Sequence, residues 1–186
     1  MRPAIILFAL AAPLLCAAQI NIQQVTVPPQ GITAPAEISQ ADLRAIPKLE
    51  AGFEDSIKAL DPKDPFVLLG ACSGIYVKGY GVVFTTPLDL ISTPRVTPFA
   101  QVISKAQADR VREQKLAHIP MLRVALRNSL MEAARTLASL PENEKIVVAA
   151  RIFYLDWESR AGMPSQIVFR ATRQAALAGN IESEDL

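Results

Sequence analysis

The sequence predicts an α+β fold: a four-stranded, mainly antiparallel sheet with two main helices packed on one face. Two stretches, residues 66–91 and 145–172, each contain two apolar, strand-like runs joined by a turn, as hairpins do. A segment with helical spacing of its apolar residues precedes each stretch. The resulting order, α-β-β-α-β-β, separates hairpins from helices, which is typical of α+β proteins.

The first 18 residues have the character of an export signal. They begin with a positive charge, residues 5–15 are apolar, and small residues lie before a cut after Ala18. The apolar run is shorter than the roughly 20 residues that span a bilayer. A lipoprotein anchor at Cys16 is disfavoured, because Leu15 stands where a small residue is required. We expect cleavage near Ala18, export to the periplasm or beyond, and no transmembrane segment in the mature chain.

The composition after cleavage limits the classes of partner. Removing 18 of the 186 residues takes away Arg2, so Lys and Arg fall from 19 to 18, against 18 Asp and Glu. A neutral chain has no overall attraction to nucleic acid, and the basic residues lack the interleaved aromatics that stack on bases. Cys72 is then the single cysteine, so an internal disulfide is excluded.

Proline, glycine and charge mark the ends of the domain. Residues 19–36 contain Pro28, Pro29, Gly31 and Pro35, which indicates a flexible connector. Residues 37–178 form one predicted domain. Residues 179–186 are acidic and follow a glycine, so we expect this C-terminus to fray.

The first predicted helix begins after Ser39, whose hydroxyl can cap free backbone N–H groups, with Asp42 in the position of a capping box. Pro47 predicts a bend or a restart, because proline removes a helical hydrogen bond. The helix ends before the Asp61-Pro62 pair. Its apolar stripe consists of Leu49, Phe53, Ile57 and Leu60.

The first hairpin is the clearest local signal. Lys78-Gly79-Tyr80-Gly81 separates two strand-like runs, and its glycines permit the positive φ angles of a tight turn. One face of the first strand carries Gly70, Cys72 and Gly74 and is almost bare of side chains. We expect a helix, or a ligand, to approach closely there.

The second helical region covers residues 99–140 and is divided by Pro120. Its second half is strongly amphipathic. Strands over residues 145–155 and 165–172 follow, and then a short helix over residues 173–177.

Cys72 is the sharpest catalytic candidate. The run Gly70-Ala71-Cys72-Ser73-Gly74 fits the cysteine form of a nucleophile elbow, and His118, the single histidine, is the available base. The context opposes this interpretation, because an elbow turns into a helix and here a second strand follows. A buried thiol beside small residues is the simpler interpretation. With one histidine and no calcium-loop pattern, the sequence predicts no metal site and no cofactor.

Binding residues are predicted at three places. The hairpin offers a contact patch of Tyr76, Lys78 and Tyr80. The second helix offers an arginine face with Arg123 and Arg127. The loop after the third strand offers Trp157, which stands between two acids.

Charge separates the two helical regions. Residues 95–135 hold eight basic and three acidic residues, a balance of +5, and residues 37–64 hold four basic and seven acidic, a balance of −3. A solvated helix face is the default explanation. An acidic partner and a homodimer through the hairpin or the long helix are the partners that the sequence suggests.

The leading hypothesis is therefore an exported, non-catalytic binding or structural module. The alternatives are a cysteine-dependent hydrolase using Cys72 with His118, and a protein that binds anionic surfaces or glycans through the arginine face.

Overall fold

A computed structural model describes residues 37–94 and 102–186 of the chain. Within these described residues, three helices span Gln40–Lys58 (α1), Lys105–Thr136 (α2) and Arg173–Leu177 (α3). The same part of the chain contains six strands, Val67–Leu68 (β1), Ser73–Val77 (β2), Gly81–Asp89 (β3), Lys145–Ile152 (β4), Gln166–Thr172 (β5) and Glu182–Asp185 (β6). The predicted signal peptide (1–18) and connector (19–36) lie outside the described residues.

All six strands belong to one mixed sheet. Strand β3 pairs on one side with β1 and β2 and on the other with β4, followed by β5 and β6. The β2–β3 and β4–β5 pairs are antiparallel hairpins, whereas β3 and β4 run parallel and are connected by α2. The α+β class is confirmed. The count of four strands and the order α-β-β-α-β-β were wrong, because β1 precedes the first hairpin and α3 and β6 follow the second.

The helices and one face of the sheet enclose the core. Alternate residues of β3, β4 and β5 are buried there, as the two-residue period of a strand requires: Val82, Phe84, Leu88, Ile146, Val148, Ala150, Ile167, Phe169 and Ala171. They form one cluster with Ile46, Phe53 and Ile57 of α1 and with Leu122, Leu126 and Leu130 of α2. The residues that alternate with these along the strands lie on the other side of the sheet, which we call the open face. It includes Ile75, Val77, Val83, Thr85, Pro87, Lys145, Val147, Ala149, Arg151, Val168 and Arg170.

Side-chain caps fix where the two long helices begin. The hydroxyl of Ser39 accepts a hydrogen bond from the Asp42 N–H at 3.1 Å, as predicted. The predicted capping box with Asp42 does not form, because the Ser39 N–H donates to the Ser139 hydroxyl at 2.7 Å. The Asp42 carboxylate instead accepts from the Ser139 N–H at 2.7 Å and from its hydroxyl at 2.6 Å. This network ties the start of α1 to the turn that follows α2. Ser104 and Gln107 form a reciprocal capping box at the start of α2.

Neither internal proline interrupts its helix. Both α1 and α2 continue through Pro47 and Pro120. A proline in a helix costs about 3 kcal/mol, and buried side chains on both sides of each proline lie in the common core. Packing therefore offsets the lost hydrogen bond. The longer of the two helices begins at Lys105, later than the predicted start at residue 99; residues 95–101 lie outside the described part.

The acidic C-terminus carries a strand. Residues 179–186, for which we expected fraying, contain β6, which pairs antiparallel with β5. Arg170 on β5 forms ion pairs with Glu182 at 3.0 Å and Glu184 at 3.5 Å, and Asp185 pairs with Arg123 of α2. The acidic side chains thus hold the strand through basic neighbours. Among the described helices, none combines the length and the apolar character needed to cross a membrane.

Candidate functional site

Cys72 lies in a closed environment under α1. Its side chain is 5% exposed and belongs to the main core cluster. The Cys72 N–H donates to Glu54 at 2.8 Å, and the Gly74 N–H donates to Glu50 at 2.6 Å. These carboxylates, one turn apart on α1, take the place of a neighbouring strand along the outer edge of β2. A Cβ on Gly74 would come within 2.7 Å of Ile46, so the bare strand face does admit a helix.

The same carboxylates make the thiol a poor nucleophile. Burial, and then the negative charges of Glu50 and Glu54, raise the pKa of Cys72 to about 12. A catalytic cysteine needs the opposite, a pKa lowered by positive neighbours.

His118 is held by a different set of groups. Its Nδ1 donates to the Gln114 carbonyl at 2.8 Å, its Nε2 lies 3.6 Å from Asp61 Oδ2, and its ring packs edge-on against Phe66 at 4.9 Å. None of these contacts is shared with the thiol of Cys72. The structure therefore does not bring the two proposed catalytic residues together through any described hydrogen bond or ion pair.

A labelling experiment tests whether the Cys72 thiol is buried and unreactive in the native protein. Native protein at pH 8 should react with iodoacetamide far more slowly than the same chain in denaturant, because a pKa of about 12 leaves almost no thiolate. The rate should keep rising up to the pH at which the chain unfolds. Rapid native labelling with a plateau below pH 8 would instead revive the hydrolase hypothesis.

The three predicted hairpin residues do not form one free patch. The Tyr76 hydroxyl donates to Glu144 at 3.3 Å, beneath the turn, and Glu144 also accepts from the Gly79 N–H at 3.0 Å. Lys78 forms an ion pair with Glu37. Tyr80 is 44% exposed, with the ammonium of Lys145 5.7 Å from its ring. Tyr80 thus remains available for contacts, whereas Tyr76 and Lys78 have structural partners.

The two arginines of the predicted basic face hold the C-terminal segment. Arg123 pairs with Asp185, and Arg127 Nη2 donates to the Gly179 carbonyl at 3.0 Å. Trp157 is partly buried, and its indole N–H is enclosed without a hydrogen-bond partner among the described residues. These side chains serve internal contacts, and they do not converge on one site.

A buried ion cluster lies where α2 passes the end of β3. Lys115 is fully buried, and its Nζ lies 2.7 Å from both Asp89 Oδ1 and Glu158 Oε2. The ring of Tyr154 is 5.0 Å away, and burial, followed by the two carboxylates, raises the pKa of Tyr154 to about 12. The sequence offered a signal for Lys115, because it occupies the apolar stripe between Val111 and Leu122.

A groove between α1 and α2 is a candidate site for a small molecule. Its volume is about 490 Å³, within the usual range of ligand sites. Leu49 and Met131 supply partly exposed apolar surface above the buried ring of Phe53. Gly52 leaves bare backbone, since a Cβ there would meet nothing within 4 Å. The polar lining consists of Lys48, Ser56, Asn128, Ser129, Glu132, Arg135 and Thr136. We call this the helix groove.

Sequence reasoning missed the helix groove, although one signal pointed to it. A glycine in the middle of a helix costs about 1 kcal/mol relative to alanine, which often indicates a packing or functional reason. Gly52 is such a residue, and no neighbouring side chain fills the space beside it. Comparison with protein-family models, characterised proteins and solved structures finds no match to this chain.

Proposed function

We propose that this chain is an exported, non-catalytic binding protein whose helix groove takes an amphiphilic anion, a molecule with an apolar body and a negatively charged head. The observation that carries the proposal is the composition of the groove. Apolar side chains and the bare backbone of Gly52 suit an apolar body, and two cations, Lys48 and Arg135, suit the head.

The charges of the groove favour an anion over a cation. Lys48 and Arg135 outnumber Glu132, the one acidic residue in the lining. The Arg135–Glu132 contact is long, 3.9 Å, and both side chains are more than 60% exposed, so it holds the guanidinium weakly. No described carboxylate lies within ion-pair distance of Lys48. Both cations can therefore turn toward an anionic group.

The alternative functions gain less support. A hydrolase would need a thiolate and a nearby base, whereas burial and two carboxylates raise the pKa of Cys72. An arginine-face function would need free guanidinium groups, whereas Arg123 and Arg127 bind Asp185 and the Gly179 carbonyl.

Filling the groove at Gly52 tests the proposal. The probe is anilinonaphthalene sulfonate, an apolar anion that fluoresces in apolar sites, and dodecanoate is the competitor. Gly52→Leu should weaken probe binding about tenfold or more by occupying the groove. Gly52→Ala is the matched control. It should retain binding and stabilise α1 by about 1 kcal/mol, since alanine is the better helix former.

The charge requirement is tested in the same assay. Dodecanoate should displace the probe, whereas dodecyltrimethylammonium, with a similar chain and a positive head, should compete poorly. Lys48→Gln with Arg135→Gln should reduce dodecanoate affinity several-fold. Full probe binding and dodecanoate competition in Gly52→Leu would show that the ligand binds elsewhere, and the proposal would then be wrong.

A further inference from the structure

His118, the single histidine of the chain, lies on α2 with its imidazole ring enclosed. The residue is only 4% exposed. Its Nδ1 atom lies 2.8 Å from the Gln114 carbonyl oxygen, and a carbonyl oxygen can only accept a hydrogen bond. Nδ1 therefore carries a hydrogen. Because a neutral imidazole has one N–H group, Nε2 is then an acceptor without a hydrogen.

The surroundings of Nε2 do not suit an acceptor. Nε2 is buried and has no hydrogen-bond partner among the described residues. It faces Oδ2 of Asp61 at 3.6 Å, and the ring of Phe66 packs edge-on against the imidazole and offers no polar group. Two acceptors that face each other cannot bond. A hydrogen on Nε2 would give both atoms a partner.

The Asp61 carboxylate is held in the ionised form by the turn that follows it. Its Oδ1 accepts from the backbone N–H groups of Lys63 at 2.9 Å and Asp64 at 3.3 Å. These two hydrogen bonds are the main reason that the pKa of Asp61 is lowered from its usual value. Asp61 is therefore a carboxylate throughout the pH range in which histidines titrate, and its Oδ2 remains available to the imidazole.

We infer that His118 and Asp61 form a pH-sensitive switch, in which a second proton on His118 binds α2 to the turn between α1 and β1. The proton lies on Nε2 and is donated to Oδ2, which gives a charge-assisted hydrogen bond. The Asp61 side chain is 30% exposed, and a movement of roughly 0.7 Å shortens the 3.6 Å contact to a normal hydrogen bond. Neither residue lines the helix groove, so this inference is independent of the proposed function.

Charged groups on the surrounding elements favour the additional proton. Apart from Asp61, these groups are Lys115 on α2, Asp89 at the end of β3, Glu158 in the loop after β4, and Lys63 and Asp64 in the turn. The Lys115 ammonium lies 2.7 Å from both Asp89 and Glu158, so these three residues carry one negative charge in excess. Lys63 and Asp64 carry opposite charges. The net negative surroundings stabilise a positive imidazole and offset part of the cost of burying it.

Replacing the carboxylate with an amide tests the switch. The stabilisation belongs to the protonated imidazole, so it is present at low pH and is lost as the pH rises. In Asp61→Asn the amide oxygen can keep the two N–H bonds of the turn, and the amide NH₂ can donate to the neutral Nε2. In thermal unfolding of the full chain, wild type should melt about 3 °C or more above Asp61→Asn at pH 5.5. At pH 8 it should melt no higher than the variant.

Asp64→Asn is the matched control, because it removes an acid from the same turn. Its difference in melting temperature from wild type should be the same at pH 5.5 and pH 8. A difference between wild type and Asp61→Asn that does not change with pH would overturn the inference.

Nitrogen-15 NMR of the same proteins locates the proton directly. The chain has one histidine, so the two ring-nitrogen signals are assigned without ambiguity. At pH 8 the hydrogen should be on Nδ1, and Nε2 should gain a second proton on acidification. Asp61→Asn should weaken that proton binding about tenfold, because it removes the adjacent negative charge. A hydrogen already on Nε2 at pH 8, or equal proton binding in both proteins, would contradict the switch.

Discussion

Replacing Lys115 with methionine is expected to destabilise the protein by about 3–5 kcal/mol. The ammonium group of Lys115 is fully buried and lies 2.7 Å from two carboxylates, Asp89 and Glu158. Methionine fills a similar volume and removes the charge. Two carboxylates then remain enclosed without their cation, and each loses the partner that offset its desolvation. Urea unfolding followed by circular dichroism measures the change.

A combined variant separates charge from packing. Lys115→Met with Asp89→Asn and Glu158→Gln removes all three charges, so it should recover most of the stability lost in Lys115→Met alone. Whole buried ion clusters can often be replaced by well-packed apolar residues of similar volume at little net cost. Asn and Gln likewise remove the charge and keep the shapes of the carboxylates. Lys58→Met is the surface control and should cost less than about 1 kcal/mol, because the Lys58–Glu54 pair is exposed. A loss below about 1 kcal/mol for Lys115→Met would contradict the buried cluster.

Gly81→Ala is expected to cost at least about 4 kcal/mol or to prevent folding. Gly81 has a φ of +130°, a conformation that residues with a side chain rarely adopt. A Cβ there would also lie 1.8 Å from the Lys145 carbonyl oxygen, far inside van der Waals contact. Alanine would force apart β3 and β4, the parallel strands that connect the two hairpins. The same urea experiment measures the loss.

Gly79→Ala separates the cost of the positive φ angle from the cost of the steric clash with Lys145. Gly79 also has a positive φ, +80°, but a Cβ there would meet nothing within 4 Å. It should therefore cost about 1 kcal/mol, from backbone strain alone. Equal losses for the two alanine variants would contradict the close approach of Lys145 to Gly81.

Local signals predicted much of the fold. The glycines of the turn predicted the β2–β3 hairpin, and Ser39 predicted the start of α1. The apolar run from Lys145 predicted β4, and alternating apolar residues predicted β5. The bare strand face around Cys72 and Gly74 predicted the close approach of a helix or a ligand, and the helix α1 lies there. Each of these features depends on residues that are near in sequence, or on a steric requirement that glycine alone meets.

The sequence patterns did not predict strand pairings that depend on contacts between segments distant in sequence. Strand β6 has no apolar alternation, and its pairing depends on Arg170 and Arg123, which are distant in sequence. The parallel contact of β3 with β4 requires the path of α2, which periodicity does not give. Pro47 and Pro120 suggested helix breaks, because each proline removes a helical hydrogen bond. Packing of buried side chains on both sides of each proline outweighs that free-energy cost.

The candidate site was the least predictable part. Cys72 and His118 were singled out by residue type, and the structure gives each a separate set of partners. The helix groove forms only where Gly52 on α1 faces the last turns of α2. Neither helix alone shows a binding pattern, so the site follows from packing between distant segments.

An NMR titration of the isotope-labelled chain with dodecanoate tests the proposed binding site most directly. The amide signals of residues 48–56 and 128–136 should shift together with a single dissociation constant, and Gly52→Leu should abolish these shifts. The signals of the open face, such as Ile75 and Val83, should move little. Saturable shifts confined to the open face, or no shifts in either helix, would contradict the helix groove as the binding site.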